Sequence, residues 1–255
     1  MIQIKTEREI EILREAGKRL ARVLRETAKH VKPGISTYEL DKIGEKIIRD
    51  MGDIPAFLNY QPEGAPKPFP ASLCISVNNE VVHGIPKKNK ILKTGDIVSI
   101  DGGLKHRSMI VDSAITVPVG KISKRTKELL EVTKEALHIG IEAARGGKRT
   151  GDIGHAIETY IKPHKFGIVR ELAGHGVGRE IHEDPYVPNY GKKGKGEKLV
   201  HGMVIAIEPM VNEGERYVIF GADGYTVRTA DNKKSAHFEH TVLITKGKAE
   251  ILTEE

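Results

Sequence analysis

One pattern occurs twice in this chain, and it narrows the possible folds more than any other feature. Thr6 with Glu9 forms a capping box, and Ile10, Leu13, Leu20 and Leu24 then recur at helical spacing, which predicts an amphipathic helix over 7–30. Pro33-Gly34 breaks it. Ser36 with Glu39 opens a shorter helix carrying Leu40, Ile43 and Ile47, and prolines, glycines and β-branched runs then predict loops and strands to about residue 120. The order returns: Ser123 precedes a long helix through Leu129, Leu137 and Ile141, and Arg145-Gly146-Gly147 ends it. Thr150 is the expected cap of a helix with Ile153, Ile157 and Ile161, and strands and loops resume from about 167.

Residue-level echoes extend the repeat. STYELDKIGEKII (36–48) and RTGDIGHAIETYI (149–161) share cap, acid and apolar positions. GDIVSID (95–101) and GMVIAIE (202–208) both run from glycine through a strand-type stretch to a carboxylate, and VVHGIP around His83 resembles EIHEDP around His182. An internal duplication follows, with halves at about 1–120 and 121–255.

Composition removes several function classes. The chain has 255 residues, enough for one large domain or two small ones. It has no run of eighteen apolar residues, and its charged beginning does not read as a secretory signal, so neither a membrane span nor export is expected. A single cysteine, Cys74, fits a reducing cytoplasm and cannot form an internal disulfide. No tryptophan and 5% aromatic residues argue against a stacking platform for single-stranded nucleic acid. The formal charge of +6 weakly favours polyanionic partners. GKKGKGEK (191–198) and KKNK (87–90) read as solvated connections, with ribosomal RNA contact as the alternative.

Four acids, two in each half, lie on or beside the β-rich segments: Asp101, Asp112, Glu208 and Glu239. If the halves pack about a two-fold axis, all four can converge. Their mutual repulsion would then be resolved by two divalent cations, with a histidine as the nitrogen ligand; hard oxygens plus imidazole suit Mn, Fe(II), Co or Zn. The other reading is four separate surface or ion-paired acids.

His175 in GHGVGREIHEDP, Glu208 in AIEPMV and Glu239 in HFEHT, with Asp101 and Asp112 eleven apart, decide between these readings by likeness. Five ligand types in this order, with 33 residues from His175 to Glu208 and 31 more to Glu239, resemble the methionine aminopeptidases among the creatinase-like "pita-bread" metallopeptidases. The resemblance spans essentially the whole chain and is closest to the minimal bacterial type I form, without helical insertion, zinc-finger extension or extra N-terminal domain. It implies an α+β fold with a curved antiparallel sheet covered by helices, and a monomeric cytoplasmic enzyme acting on nascent polypeptide N-termini.

The resemblance also implies roles. Asp112 and Glu239 would bridge two metals, Asp101 would chelate one, and His175 and Glu208 would complete the other. A metal-bridged hydroxide would be the nucleophile, Glu208 would relay its proton, His182 would steady the substrate carbonyl and His83 would contact the scissile nitrogen. Phe69, Cys74, Ile181 and Tyr225, with His83, would shape the methionine pocket, and a small second residue would be preferred. Val111 before Asp112, Tyr225 where many members carry tryptophan, His237 in place of glutamine and the loop NYQPEGAPKPFP (59–70) depart from the family pattern. A relative of the Xaa-Pro type and a non-catalytic binding protein on the same fold are the competing readings. The first is disfavoured by the lack of an N-terminal domain, the second by five intact ligand positions.

Overall fold

The computed structural model describes residues 2–254. Its helices begin where side chains can satisfy the free N–H groups of a first turn. α1 (Glu7–Ala28) and α2 (Thr37–Asp50) both carry the expected capping boxes, Thr6 with Glu9 and Ser36 with Glu39. α3 (Lys124–Ala143) is capped by Ser123. α4 (Thr150–Ile161) departs from expectation: Thr150 is its first helical residue and Arg149 the cap position. The Asp152 carboxylate takes the Arg149 N–H at 2.8 Å, while the Thr150 and Gly151 N–H groups donate to the carbonyls of Glu197 and Lys195 at 2.9 and 3.0 Å. The lysine-rich segment is thus docked on the start of α4 by its backbone, with its lysine side chains exposed. The KKNK segment differs too, since Lys90 Nζ is 2.6 Å from the buried Glu80.

The first strands are β1 (Ile54–Pro55), β2 (Leu73–Val77), β3 (Glu80–Val82), β4 (Ile97–His106) and β5 (Met109–Pro118). Those that follow are β6 (Gly167–Ile168), β7 (Gly174–Gly176), β8 (Glu183–Val187), β9 (Val204–Ile207) and β10 (Met210–Asn212). The last are β11 (Val218–Phe220), β12 (Val227–Thr229), β13 (Ser235–His237), β14 (Glu239–Leu243) and β15 (Glu250–Ile251). Nine of them form an antiparallel sheet in the order β1-β4-β5-β14-β9-β7-β8, with β2 beside β4 and β15 beside β14. The β4–β5 hairpin thereby meets β14 and, through it, β9, strands from the other copy of the repeated pattern. Two three-stranded sheets, β13-β10-β6 and β11-β12-β3, complete the fold.

Strand periodicity assigns the faces. A Cβ placed on Gly102 would approach Leu20 and Leu24 of α1, so the even positions of β4 face the helices and Asp101 and Gly103 face away. In the second half a Cβ on Gly140 of α3 would meet Ile207, and the rings of His138 and His240 lie 6.4 Å apart, so Glu208 and Glu239 also fall on the far face. One apolar core lies between α1, α2 and β2, β4 and β5, and another between α3, α4 and the strands around β9 and β14.

α1 also crosses the C-terminal segment closely. A Cβ on Gly17 would stand 2.0 Å from the Leu252 carbonyl oxygen, a backbone atom with no rotamer to escape into. Gly17→Ala is therefore expected to destabilise the protein by about 2–3 kcal/mol through overpacking, read as a lower urea midpoint with an unchanged m-value. An unshifted midpoint would show that α1 and the C-terminal segment move apart freely.

Candidate metal centre

Register brings the acids together. Cys74 pairs with Asp101, Asp101 with Ala114, and Ala114 with Glu239, which forms one row across β2, β4, β5 and β14. Asp112 pairs with Gly103 two residues along the same face. Glu208 lies one step beyond Ile207, the last registered partner of His240, and so ends the row opposite Glu239. Asp101 proves to be mid-strand rather than terminal, because β4 continues through two glycines to His106. Gly103 leaves the space opposite Asp112 open, where a Cβ would press on Phe57 and Ile181 at 2.9 Å.

His175 approaches this row from β7. Its Nδ1–H donates to the Gly176 carbonyl at 2.8 Å, which leaves the Nε2 lone pair 3.6 Å from Glu208 and 3.9 Å from Asp112. A backbone acceptor on one ring nitrogen is the arrangement that fixes a metal-ligating histidine. Ligand atoms of Asp112, His175 and Glu239 lie within 4.8 Å of one another. Asp101 Oδ1, Asp112 Oδ1 and Glu239 Oε1 are buried with no hydrogen-bond partner, a costly state for carboxylates unless a cation meets them. These residues fit a divalent metal group.

The electrostatics agree. Burial pushes the Asp112 carboxyl up to about 7. Burial, reinforced by neighbouring acids, also raises Asp101, Glu208 and Glu239 well above the carboxylate range. Burial acts oppositely on the imidazoles, lowering His175 to about 3 and His83 to about 4, and holding His182 below its ordinary value. At neutral pH all three are therefore uncharged.

A cavity of about 320 Å³ stands over the row. Asp101, Asp112, His175, Glu208 and Glu239 line it, as do His83, His182, Phe69, Cys74 and Tyr225. Val82, Val227 and Phe220, one registered row of the β3-β12-β11 sheet, supply apolar wall. Ile181 is buried beside Phe57 over Gly103, the residue opposite Asp112, rather than among the side chains that line the cavity. Cys74 is buried, and burial together with Asp101 and Asp112 raises its thiol well above normal, which suits a wall residue rather than a nucleophile.

Two neighbours escaped sequence reasoning. The Tyr60 hydroxyl is 2.9 Å from His182 Nδ1, although nothing in its loop sequence singles it out. His237, noted only as a departure from glutamine, is buried with Nε2 3.5 Å from Glu208 and 3.9 Å from Glu239. The segment bearing His175 and His182 is held from the N-terminus by a buried pair, Lys5 Nζ to Glu183 at 2.5 Å, while Glu183 also accepts the Arg179 and Glu180 N–H groups.

The model of metallopeptidase family M24 matches residues 11–246. The chain belongs to this family. It is 53% identical over 253 residues to methionine aminopeptidase 1 of Bacillus subtilis, covering 99% of both chains. The methionine aminopeptidase of Aquifex aeolicus is 48% identical over 255 residues, again at 99% of both. The crystal structure of a methionine aminopeptidase from Thermotoga maritima aligns over 100% of both chains with a TM-score of 0.96 at 45% identity. A Xaa-Pro dipeptidase from Bacillus anthracis, 22% identical with a TM-score of 0.76, shares the fold, and 62% of its chain is covered. The α+β pita-bread architecture expected from the sequence is thus the M24 fold.

Raised carboxyl pKa values have a sign. The folded chain holds protons that the unfolded chain has already released, so stability falls as pH rises toward the folded values. Above about pH 7.5, a full unit over their ordinary value of about 6.5, the depressed histidines are neutral in both states, and the carboxyls dominate the response. Chelated M24 protein is expected to melt at a lower temperature at about pH 8.5 than at about pH 7.5, and Mn²⁺ to raise the midpoint and flatten the slope. A midpoint indifferent to both pH and Mn²⁺ would count against a metal centre here.

Proposed function

We infer that this M24 metallo-exopeptidase hydrolyses the N-terminal methionine from polypeptides and prefers a small second residue. The observation that carries the reading is the buried row of acids and His175 at an apolar-walled cavity of about 320 Å³, roomy enough for one long side chain. Asp112 and Glu239 would hold the divalent cations, with Asp101 and with His175 and Glu208 as the further ligands. Manganese, iron(II), cobalt or zinc all suit this oxygen-rich set with one imidazole. Such ions, when bound, supply Lewis acidity and lower the pKa of water toward neutrality.

The protein groups do the rest. Glu208 is assigned to carry a proton from the attacking water to the leaving amine. With Tyr60 donating to Nδ1 of His182, the imidazole proton sits on Nε2, where it can donate to the substrate carbonyl as charge develops. His83, neutral at pH 7, is assigned to the scissile nitrogen. Phe69, Cys74 and Tyr225 shape the methionine side of the cavity. A free α-amine is needed as a ligand, which limits the enzyme to one residue.

The chain is assigned one metallopeptidase domain of two related halves, about 1–120 and 121–255; the meeting of β5 with β14 supports it. No helix among the described residues is long and apolar enough to cross a membrane. A monomeric enzyme of the cytoplasm, meeting nascent chains, fits these properties. Exposed Lys192, Lys193, Lys195 and Lys198 lie against the backbone of Arg149, Thr150 and Gly151, which supports a transient contact with ribosomal RNA.

The metal-loaded protein is expected to cleave Met-Ala-Ser peptides, to lose activity on chelation and regain it with Mn²⁺ or Co²⁺. Glu208→Gln and His175→Ala should each lower kcat/KM by at least about a hundredfold. Wild-type rates in either variant would remove that residue from its role. Met-Leu peptides should be cleaved more slowly than Met-Ala peptides, and N-acetylated peptides not at all; equal turnover of free and acetylated termini would sink the exopeptidase reading.

A further inference from the structure

Residues 61–68 form a closed excursion at the edge of the cavity. The Asn59 N–H donates to the Phe69 carbonyl at 2.9 Å and the Phe69 N–H to the Tyr60 carbonyl at 2.8 Å, so the two stems are stitched together. Inside, the Ala65 N–H reaches the Pro62 carbonyl at 3.1 Å and Gln61 Nε2 the Ala65 carbonyl at 2.9 Å. This is the construction of an Ω-loop, a compact surface segment with adjoining ends. Pro62, Glu63, Gly64 and Ala65 line the cavity, yet none of residues 61–68 is buried. Burial therefore does not hold this wall in place.

What fastens it lies 158 residues away in sequence. The Tyr225 hydroxyl donates to the Lys67 carbonyl, the one hydrogen bond among the described residues that joins 61–68 to a distant segment. The Tyr225 ring meets Phe69 edge-on with centroids 5.1 Å apart. Gly224, at φ +86°, lies so close to the loop that an added Cβ would stand 2.6 Å from Pro66 Cγ. At the other stem, Tyr60 touches His182.

We propose that Tyr225 is a specificity-determining residue that acts through its hydroxyl: by latching the 61–68 loop it fixes the outer wall of the cavity and limits the size of the first side chain accepted. The proposal rests on the aminopeptidase reading and extends it to a residue acting through another segment. Phenylalanine or tryptophan at this position keeps a ring on Phe69 but has no hydroxyl for the Lys67 carbonyl. Discrimination by an apolar pocket is small per methylene, so a wall that yields erodes it quickly.

The test compares wild type and Tyr225→Phe, both metal-loaded, on peptides beginning Met-Ala, Leu-Ala and Phe-Ala. The ratio of kcat/KM for Leu-Ala or Phe-Ala over Met-Ala is expected to rise about fivefold in the variant, chiefly through KM. Amide hydrogen exchange over 61–67 should quicken with or without metal. A second variant replaces 61–68 with a short Gly-Ser turn; it should relax selectivity by itself, and adding Tyr225→Phe to it should change nothing further. Unchanged ratio and exchange in Tyr225→Phe would overturn the latch. Additive effects in the combined variant would also overturn it, because the hydroxyl would then act without the loop. Failure of wild type to cleave Met-Ala peptides would instead sink the aminopeptidase reading, while the exchange rates would still decide the latch.

Discussion

Placing several carboxylates on one buried sheet face is the constraint to which the rest of the molecule answers. Without counter-charge such a face is expensive, since each acid loses its hydration and gains like-charged neighbours. The fold meets this by making the face rigid and small. Asp101, Glu239 and Glu208 are spaced by strand register, and Asp112 is fixed by reciprocal bonds with the Thr241 hydroxyl at 3.0 and 2.6 Å. His175 adds a single lone pair whose tautomer is set by its own neighbour's carbonyl. A site built on strands holds its geometry better than one built on loops. The helices on the opposite face supply the apolar burial that stabilises the sheet carrying it.

Histidines and loops serve a different purpose. The row of acids sits on the rigid sheet, while His83, His182, Tyr60 and the 61–68 segment come from connections around its rim. His83 adopts φ +56°, an uncommon backbone conformation for a residue with a side chain. Lys5 and Glu183 are paired with side chains 0% and 2% exposed, so the segment carrying His182 is anchored by charge rather than by packing alone. Breaking one partner of such a pair leaves an uncompensated buried charge.

Much of this was legible in the sequence because it depends on short-range chemistry. Capping boxes at Thr6 and Ser36 depend on four consecutive residues, and the structure has both. Alternation on the strands made the acids visible as misfits within apolar runs, and likeness to a known motif set their order. The Arg149 cap escaped because the donors of α4 are met by the 195–197 backbone, a contact across 44 residues or more. Tyr60 and the latch on Lys67 escaped for the same reason: their meaning depends on partners 122 and 158 residues distant. Spacing gives the neighbourhood of Ile181 but not that it packs over Gly103, where an added Cβ would stand 2.9 Å from it.

The seating of Gly17 on the Leu252 carbonyl has a consequence for the order of events during synthesis. α1 is made long before Leu252, whose carbonyl it also seats against, and β5 finds its neighbour β14 only after residue 243 has emerged. A protein read as trimming other newborn chains must itself stay incomplete, with its acid-bearing hairpin waiting, until Glu239 and the rest of β14 have been translated.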